Sequence, residues 1–206
     1  PFISTIGTRN IFRGLALLIT AASPISGFPK AVQYPGTGDI FLGIPVSFLI
    51  VIVMYIGIHI FLNNTALGRH IYAVGGNKEA ARLSGLNVNK ILIIVYAICG
   101  FMCAFAALVM VGRLNTAFPL AGSTADMDAI ASCIIGGVSF LGGKGTIWGT
   151  LIGSLLITVL RNGLNLIGAS ADMQLVVIGL VIIVAVYVDV LRASAEAKSK
   201  RLAAKK

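Results

Sequence analysis

Residues 91–111 read ILIIVYAICGFMCAFAALVMV and contain no charged side chain. A helix needs about 20 mostly apolar residues to cross the hydrocarbon core of a bilayer, so this segment has the length and the composition of a membrane span. Residues 44–62 form a second such run. Membrane β-strands would instead alternate apolar and polar positions over about ten residues, a pattern that continuous Ile, Leu and Val runs contradict. The two segments therefore predict a helical membrane protein.

The composition of the whole chain supports this prediction. Hydrophobic residues make up 57% and charged residues 11% of the chain, whereas soluble proteins carry about 25% charged residues. Helix-breaking residues and charged residues divide the chain into six apolar segments: residues 2–22, 44–62, 91–111, 127–141, 146–160 and 173–188. We predict an all-α fold, a polytopic membrane helical bundle with about six membrane segments, some of them short or broken. Residues 23–43 are predicted to form a turn-rich loop on the outer face.

The distribution of basic residues predicts the orientation. The net charge is +9, but the basic residues lie between the apolar segments and not on one solvated face, so we expect no nucleic-acid partner. Residues 63–90 carry four basic residues and residues 191–206 carry six. Since cytoplasmic loops of membrane proteins are enriched in Lys and Arg, both segments are predicted to be cytoplasmic. An even number of crossings then places these charged residues outside: Lys30, Asp39, Arg113, Asp126, Asp128, Arg161 and Asp172. It places Arg9, Arg13 and Lys144 inside.

The chain opens at Pro1 without a methionine or a basic region, so its first apolar segment is not interpreted as a signal peptide. We expect further membrane segments upstream of it. Residues 1–190 are therefore interpreted as an N-terminally truncated transmembrane domain, and residues 191–206 as a basic cytoplasmic tail.

Residues 127–141 fit poorly as a simple span. They hold Asp128 and the pair Gly136-Gly137, and they are barely long enough to cross. A broken or re-entrant helix, which is tolerated at membrane depth beside protein or water, would make this segment a wall of a pathway. A short tilted helix buried among others explains the pattern equally well.

The glycines after this segment predict close packing. Lys144 is followed by Gly145 and preceded six residues earlier by Val138. The stretch therefore fails the phosphate-loop template, which requires Ser or Thr after the lysine and Gly at the earlier position. Gly145, Gly149 and Gly153 recur every four residues. This spacing predicts that all three line one helix face and let a second backbone approach closely.

Polar residues within the apolar segments are candidates for a pathway. Asn162 and Asn165 share a predicted helix face, and intramembrane polar groups are costly unless they pair or face water. They either line a polar pathway or cap and hydrate the outer end of their helix beside Arg161. No set with metal-ligand spacing is visible, so we predict no metal site and interpret these residues as structural: His59, His70, Cys99, Cys103 and Cys133.

Residues 77–85 form a short motif in the most basic inner loop. Asn77 can cap a helix and Gly85 can end it, which leaves about two turns, roughly 11 Å long. Glu79 and Arg82 can pair at positions i and i+3. Three small residues are predicted to form one face: Ala80, Ala81 and Ser84. On these grounds alone the segment is a surface helix parallel to the membrane, which either docks a partner or only connects spans.

The same motif resembles the EAA loop by which permease subunits of ABC importers dock onto their ATPases: Glu79-Ala80-Ala81-Arg82-Leu83-Ser84-Gly85. Almost end to end, the chain is similar to the permeases of this kind that import ribose, galactose, xylose and related simple sugars. Further matching stretches are residues 1–8, 68–69, 72–77, 84–88, 128–131, 135–139, 142–145 and 162–165. The chain departs from the sugar permeases at Ala125-Asp126-Met127, where they usually have Tyr-Glu-Leu.

The resemblance implies a multi-pass transport subunit in the bacterial inner membrane, with a cytoplasmic C-terminus and no catalytic site or cofactor of its own. Its partners would be a second permease subunit, identical or related, cytoplasmic ATPase subunits that use ATP and Mg²⁺, and a periplasmic or lipid-anchored sugar-binding protein. The cargo would be a monosaccharide such as ribose or galactose. The residues implied in ATPase coupling are Asn77, Glu79, Ala80, Ala81, Arg82 and Gly85, and the pathway candidates are Asp128, Asn162 and Asn165.

Two alternative functions share parts of this pattern. A related ABC permease for branched-chain amino acids would differ only in its substrate. A secondary transporter would carry buried ionisable residues and inverted repeats, whereas Asp128 is the only deeply placed acid candidate and no repeat is visible. A membrane-embedded enzyme would need a convergent nucleophile, base or metal set, which the scattered His and Cys residues do not supply.

Overall fold

The computed structural model describes residues 2–40, 43–140 and 142–203, and most of their backbone is helical. The helices are α1 (Phe2–Thr20), α2 (Lys30–Thr37), α3 (Val46–Asn64), α4 (Ala66–Gly76), α5 (Lys78–Leu83), α6 (Val88–Leu114), α7 (Ala125–Ile135), α8 (Ile147–Leu166) and α9 (Ala171–Ala203). In these described ranges, four strands of two residues each lie between the helices: β1 (Ile25–Ser26), β2 (Asp39–Ile40), β3 (Ile44–Pro45) and β4 (Thr116–Ala117).

Within the described residues, four helices are long and apolar enough to cross a membrane: α3, α6, α8 and the part of α9 at Ala171–Val188. At most 11% of each apolar stretch is buried within the protein. Exposing such surface to water costs roughly 25 cal/mol per Å², so these helices require lipid or protein around them. The chain is a polytopic helical membrane protein, and this part of the sequence-based prediction is confirmed.

Two helices that match the remaining predicted segments are not simple apolar spans. α1 has 19 residues and contains Arg9, whose Nη2 donates a hydrogen bond to the Ser123 carbonyl at 2.9 Å. α7 has 11 residues, which extend over about 16 Å, roughly half of the hydrocarbon thickness. It ends at Gly136, and Gly137 follows with a φ of +82°. The glycine pair therefore ends this helix early.

The chain divides into two compact units, and the first comprises Pro1–Met54 and Ile94–Ser123. Here the segment after α1 folds onto the end of α6. β1 pairs with β4 in an antiparallel ladder, and β2 pairs with β3 in the same way. The side-chain oxygen of Asn115 accepts hydrogen bonds from the Phe28 amide and from the Gln33 side chain, both at 3.1 Å.

Residues 23–43, predicted to form a turn-rich loop, also contain the short helix α2. α2 packs directly on α6: a Cβ atom on Gly36 would collide with the backbone of Gly112 and Arg113. This contact joins residues far apart in sequence, which a local pattern of Gly and Pro does not reveal.

The second unit comprises Tyr55–Ile93 and Thr124–Lys206. In this unit α4, α5 and the first turn of α6 enclose a small apolar core of Val74, Ala81 and Ile91. Three partly buried side chains pack against this core: Ile71, Leu86 and Val88. α5 is therefore attached to the neighbouring helices through its own buried face.

Close backbone contact also joins α7 and α8 in the second unit. A Cβ atom on Gly149 would collide with the carbonyl of Gly136, and one on Gly153 would collide with the carbonyl of Ser132. Ala131 at the centre of α7 has no exposed surface. The two helices therefore meet backbone to backbone, as small residues allow.

Gly145 does not lie on this helix face, and the prediction that it does is wrong. α8 begins at Ile147, and the Thr146 hydroxyl caps it by accepting a hydrogen bond from the Gly149 amide at 3.1 Å. Gly145 precedes this cap with a φ of +154°, outside the helical range. The four-residue spacing of the glycines thus begins before α8, and only Gly149 and Gly153 lie within this helix.

α9 continues past the predicted start of the basic tail. It runs from Ala171 to Ala203 as one helix of 33 residues, about 50 Å long. Residue 190, where the sequence suggested a boundary between membrane domain and tail, lies inside this helix.

Candidate functional site

α5 begins at a well-formed N-cap. Asn77 has an extended backbone, and its side-chain oxygen accepts hydrogen bonds from the amides of Glu79 at 3.0 Å and Ala80 at 3.1 Å. These two amides have no partner within the helix, so the cap stabilises the helix start by about 1 kcal/mol. The cap also separates α5 from α4, because Asn77 ends one helix and begins the other.

α5 ends in a Schellman motif. The Gly85 amide donates to the Arg82 carbonyl at 3.0 Å, and the Leu86 amide donates to the Ala81 carbonyl at 3.1 Å. Gly85 adopts a φ of +82°, which glycine accepts without steric cost. Leu86 then turns into the apolar core, so the end of α5 is held in a defined direction.

The two faces of α5 differ in chemistry. Ala81 is buried against Val74 and Ile91. The outward face carries the ion pair of Glu79 and Arg82, at 3.1 Å, with both side chains more than 70% exposed. Such an exposed pair contributes at most about 1 kcal/mol. The expectation that Ala81 shares an exposed small face with Ala80 and Ser84 is wrong, because the helix is rotated to place Ala81 in the core.

Leu83 is also part of the outward face, although no pattern in the sequence marked it as a functional residue. Its side chain is 83% exposed, and it follows Ala80 by three residues, so the two share one side of the helix. An exposed leucine beside small residues and one ion pair is the chemistry of a helix face that can enter an apolar groove.

Asp128 is paired with Arg161, a contact that was not predicted from the sequence. The Arg161 Nη2 atom lies 2.7 Å from both carboxylate oxygens of Asp128. Asp128 is in the first turn of α7 and Arg161 is near the end of α8, so the pair joins two helix ends. The two side chains are 25% and 33% exposed respectively.

The two asparagines of α8 have different surroundings. The side-chain oxygen of Asn165 accepts a hydrogen bond of 2.7 Å from Gln174 of α9, whose side chain is almost fully buried. Asn162 is exposed, next to Arg161. The structure thus places Asp128 near the end of α8 that carries Asn162. Asn165 instead contacts α9.

In the part of the chain that the structure describes, no three His, Cys, Asp or Glu side chains lie close enough to hold a metal ion. His59 lies beside the Trp148 ring, with ring centroids 5.5 Å apart. The Nδ1 atom of His59 lies 3.0 Å from the side-chain nitrogen of Asn63. Both contacts lie within the second unit, where the end of α3 meets the start of α8.

Comparison with known proteins shows the family of the chain. Residues 1–186 match the protein family described as the permease component of branched-chain amino acid transport systems. The chain belongs to this permease family. It is 44% identical over 190 residues to the ribose import permease protein RbsC of Bacillus subtilis, an alignment that covers 92% of the chain and 59% of that protein.

Two Escherichia coli permeases are also similar to the chain. The D-allose transport system permease protein AlsC is 42% identical over 190 residues, with 92% of the chain and 58% of that protein covered. The galactose/methyl galactoside import permease protein MglC is 38% identical over 201 residues, with 93% and 59% covered. The resemblance to sugar permeases predicted from the sequence is confirmed. The chain spans about 60% of the length of these relatives, and no solved structure matches it.

Proposed function

We propose that the chain forms the greater part of a permease subunit of an ABC importer for a monosaccharide such as ribose. The observation that carries the proposal is α5, a capped two-turn helix with an exposed face of Ala80, Leu83 and Ser84, in a chain 44% identical to a ribose permease. The permease itself would hydrolyse no ATP and hold no cofactor. Cytoplasmic ATPase subunits would use ATP and Mg²⁺, and their closure would be transmitted through α5.

The proposed assembly contains a second permease subunit, identical or related, and a periplasmic or lipid-anchored sugar-binding protein. A permease alternates between inward-open and outward-open states, and ATP binding by its partners shifts the population between these states. α5 is rigidly defined at both ends, so it is suited to transmit force from a partner into the helices behind it.

The proposed topology places residues 63–90 and the C-terminus on the cytoplasmic side of a bacterial inner membrane. The six membrane segments would be α1, α3, α6, α7, α8 and α9. Two contacts support this arrangement. Asp128 and Arg161, both predicted to be outside from charge bias, lie 2.7 Å apart. Tyr72 in the predicted inner loop donates a hydrogen bond to the carbonyl of Gly145, beside Lys144 in the segment predicted to be inside. In this proposal, Asp128, Asn162 and Asn165 remain the pathway candidates.

Transport in a reconstituted system tests the proposal. The permease that contains this chain is placed in proteoliposomes with its ATPase subunits and binding protein, and uptake of labelled ribose, D-allose, galactose and leucine is measured. We expect ATP-dependent uptake of at least one sugar. Leucine uptake without sugar uptake would favour an amino-acid permease, which the family description names. Uptake driven by an ion gradient without ATPase subunits would favour a secondary transporter.

A further inference from the structure

We propose that the glycine loop, residues 142–145, is a second coupling element that carries motion from α4 and α5 into the pair of helices α7 and α8. This inference rests on the proposed function. It concerns the second compact unit only, where all of these elements lie.

The end of α4 touches the glycine loop without any side chain between the two backbones. A Cβ atom on Gly75 would lie 2.8 Å from the Gly143 amide nitrogen. A Cβ atom on Gly142 would lie 2.6 Å from the Gly75 carbonyl oxygen, and one on Gly143 would lie 2.5 Å from the Gly76 Cα atom. Real Cβ contacts are not this short, so only glycines permit the observed approach.

The loop has a defined shape and is tied to α4. Gly142 and Gly143 have φ angles of +93° and +74°, which residues other than glycine rarely adopt. Hydrogen bonds from Ser139 N to the Lys144 carbonyl, at 3.0 Å, and from Gly142 N to the Ser139 carbonyl, at 3.1 Å, close the loop on itself. The Tyr72 hydroxyl of α4 donates to the Gly145 carbonyl at 3.0 Å. A displacement of α4 therefore displaces the loop.

On one side, this contact is connected to α5. Val74, the residue before Gly75, is 3% exposed and lies in the same core as Ala81 of α5. Force applied to the outward face of α5 reaches Val74 through Ala81. Closely packed cores have low compressibility and transmit strain.

On the other side, the contact is connected to the far end of α8. The loop leads directly into the Thr146 cap of α8. α8 has 20 residues and is about 30 Å long. Its glycines Gly149 and Gly153 lie on the α7 backbone, so the two helices have little freedom to slide. Near the other end of α8, Arg161 holds Asp128 of α7. The glycine loop thus links α5 to an ion pair that lies about 21 Å from the start of α8, at 1.5 Å for each residue between Ile147 and Arg161.

A matched pair of glycine variants tests the relay. Gly75 and Gly76 are the last two residues of α4. A Cβ atom on Gly75 would lie 2.8 Å from Gly143, whereas one on Gly76 would approach the loop no closer than 4.0 Å. Gly75→Ala should lower sugar uptake per ATP hydrolysed by about fivefold or more, at the low end of common coupling energies. Gly76→Ala should keep the parental ratio, and both complexes should retain their ATPase subunits.

Tyr72→Phe provides a second measurement for the case that Gly75→Ala fails to assemble. It removes one hydroxyl at the loop and leaves the ring in place, so a lowered uptake per ATP in the assembled complex would support the relay. A parental ratio in Tyr72→Phe together with a parental ratio or failed assembly in Gly75→Ala would overturn it. Absence of sugar uptake by the parental complex would overturn the proposed function and the relay together, whereas parental uptake with unaffected variants overturns the relay alone.

Discussion

Arg161 binds Asp128 through one nitrogen that contacts both carboxylate oxygens at 2.7 Å, and this contact ties the last turns of α8 to the first turn of α7. The two residues are 33 positions apart in the sequence. Both side chains are only 25–33% exposed, and a partly buried charge is costly unless it is paired, so each side chain provides the compensation that the other needs. The pair thus has a structural role in addition to any contact with the cargo.

Removing either member of this pair should destabilise the permease. Asp128→Asn leaves the Arg161 charge without its counter-charge, and Arg161→Gln leaves Asp128 in the same situation. We expect each single variant to lower the free energy of unfolding, and the double variant to lose less than the sum of the two, with a coupling of about 0.5–3 kcal/mol. Asp172→Asn, at the exposed start of α9, serves as a control. Strictly additive losses would contradict the pairing.

Gly149→Leu should disrupt the contact between α7 and α8. Its first side-chain atom would collide with the Gly136 carbonyl, so the helices would have to separate. We expect a loss of about 1–3 kcal/mol and a lower yield of purified permease. Gly163→Leu in the same helix is the control, because a Cβ atom there meets nothing within 4 Å. Equal thermal stability of the two variants would remove the packing argument.

Gly85→Val should uncouple ATP hydrolysis from sugar while membrane insertion stays intact. Gly85 has space around it, but its φ is +82°, where a β-branched residue is strongly disfavoured. The chain that follows α5 would then run in another direction, and the outward face of α5 would be displaced. We expect sugar-stimulated ATPase activity to be lost. Gly85→Asn is the matched control, because asparagine tolerates this conformation and should retain more of the activity. Full activity in Gly85→Val would return α5 to the role of a connecting helix.

Tryptophan substitutions at Ala80 and Ala81 should have different effects, one on the binding of the ATPase subunits and the other on the stability of the permease. Ala81 is 5% exposed in the core between α4, α5 and α6, so Ala81→Trp should lower the thermal stability of the permease itself. Ala80 is exposed, so Ala80→Trp should leave stability unchanged and weaken copurification of the ATPase subunits. Stability is measured on the isolated permease and copurification on the complex. The same loss of stability in both variants would contradict the assignment of the two faces.

The orientation can be measured by labelling introduced cysteines in intact cells. In a permease whose Cys99, Cys103 and Cys133 are replaced by alanine, Ser199→Cys should react with an impermeant thiol reagent only after the membrane is opened, because the tail is predicted to be cytoplasmic. Ser26→Cys, in the segment predicted to lie outside, should react in intact cells. Reaction of Ser199→Cys from outside would show that the topology is inverted.

The helical membrane fold and the limits of α5 were determined by the sequence itself. Long uncharged runs such as residues 91–111 can satisfy their backbone groups in lipid only as helices. Asn77 and Gly85 mark the ends of α5 because the hydrogen bonds of a cap connect residues at most five positions apart. Interactions of this range are encoded in the stretch of chain that makes them.

The tertiary structure alone decided which face of α5 is buried, which residue pairs with Asp128, and which backbone touches Gly75. Ala80 and Ala81 are the same amino acid, and only the position of Val74 and Ile91 makes one of them core and the other surface. Gly75 and Gly143 are distant in sequence and meet because α4 and the loop before α8 are brought together. No local pattern encodes such contacts, since they depend on how separate helices pack and not on the conformation of any one of them.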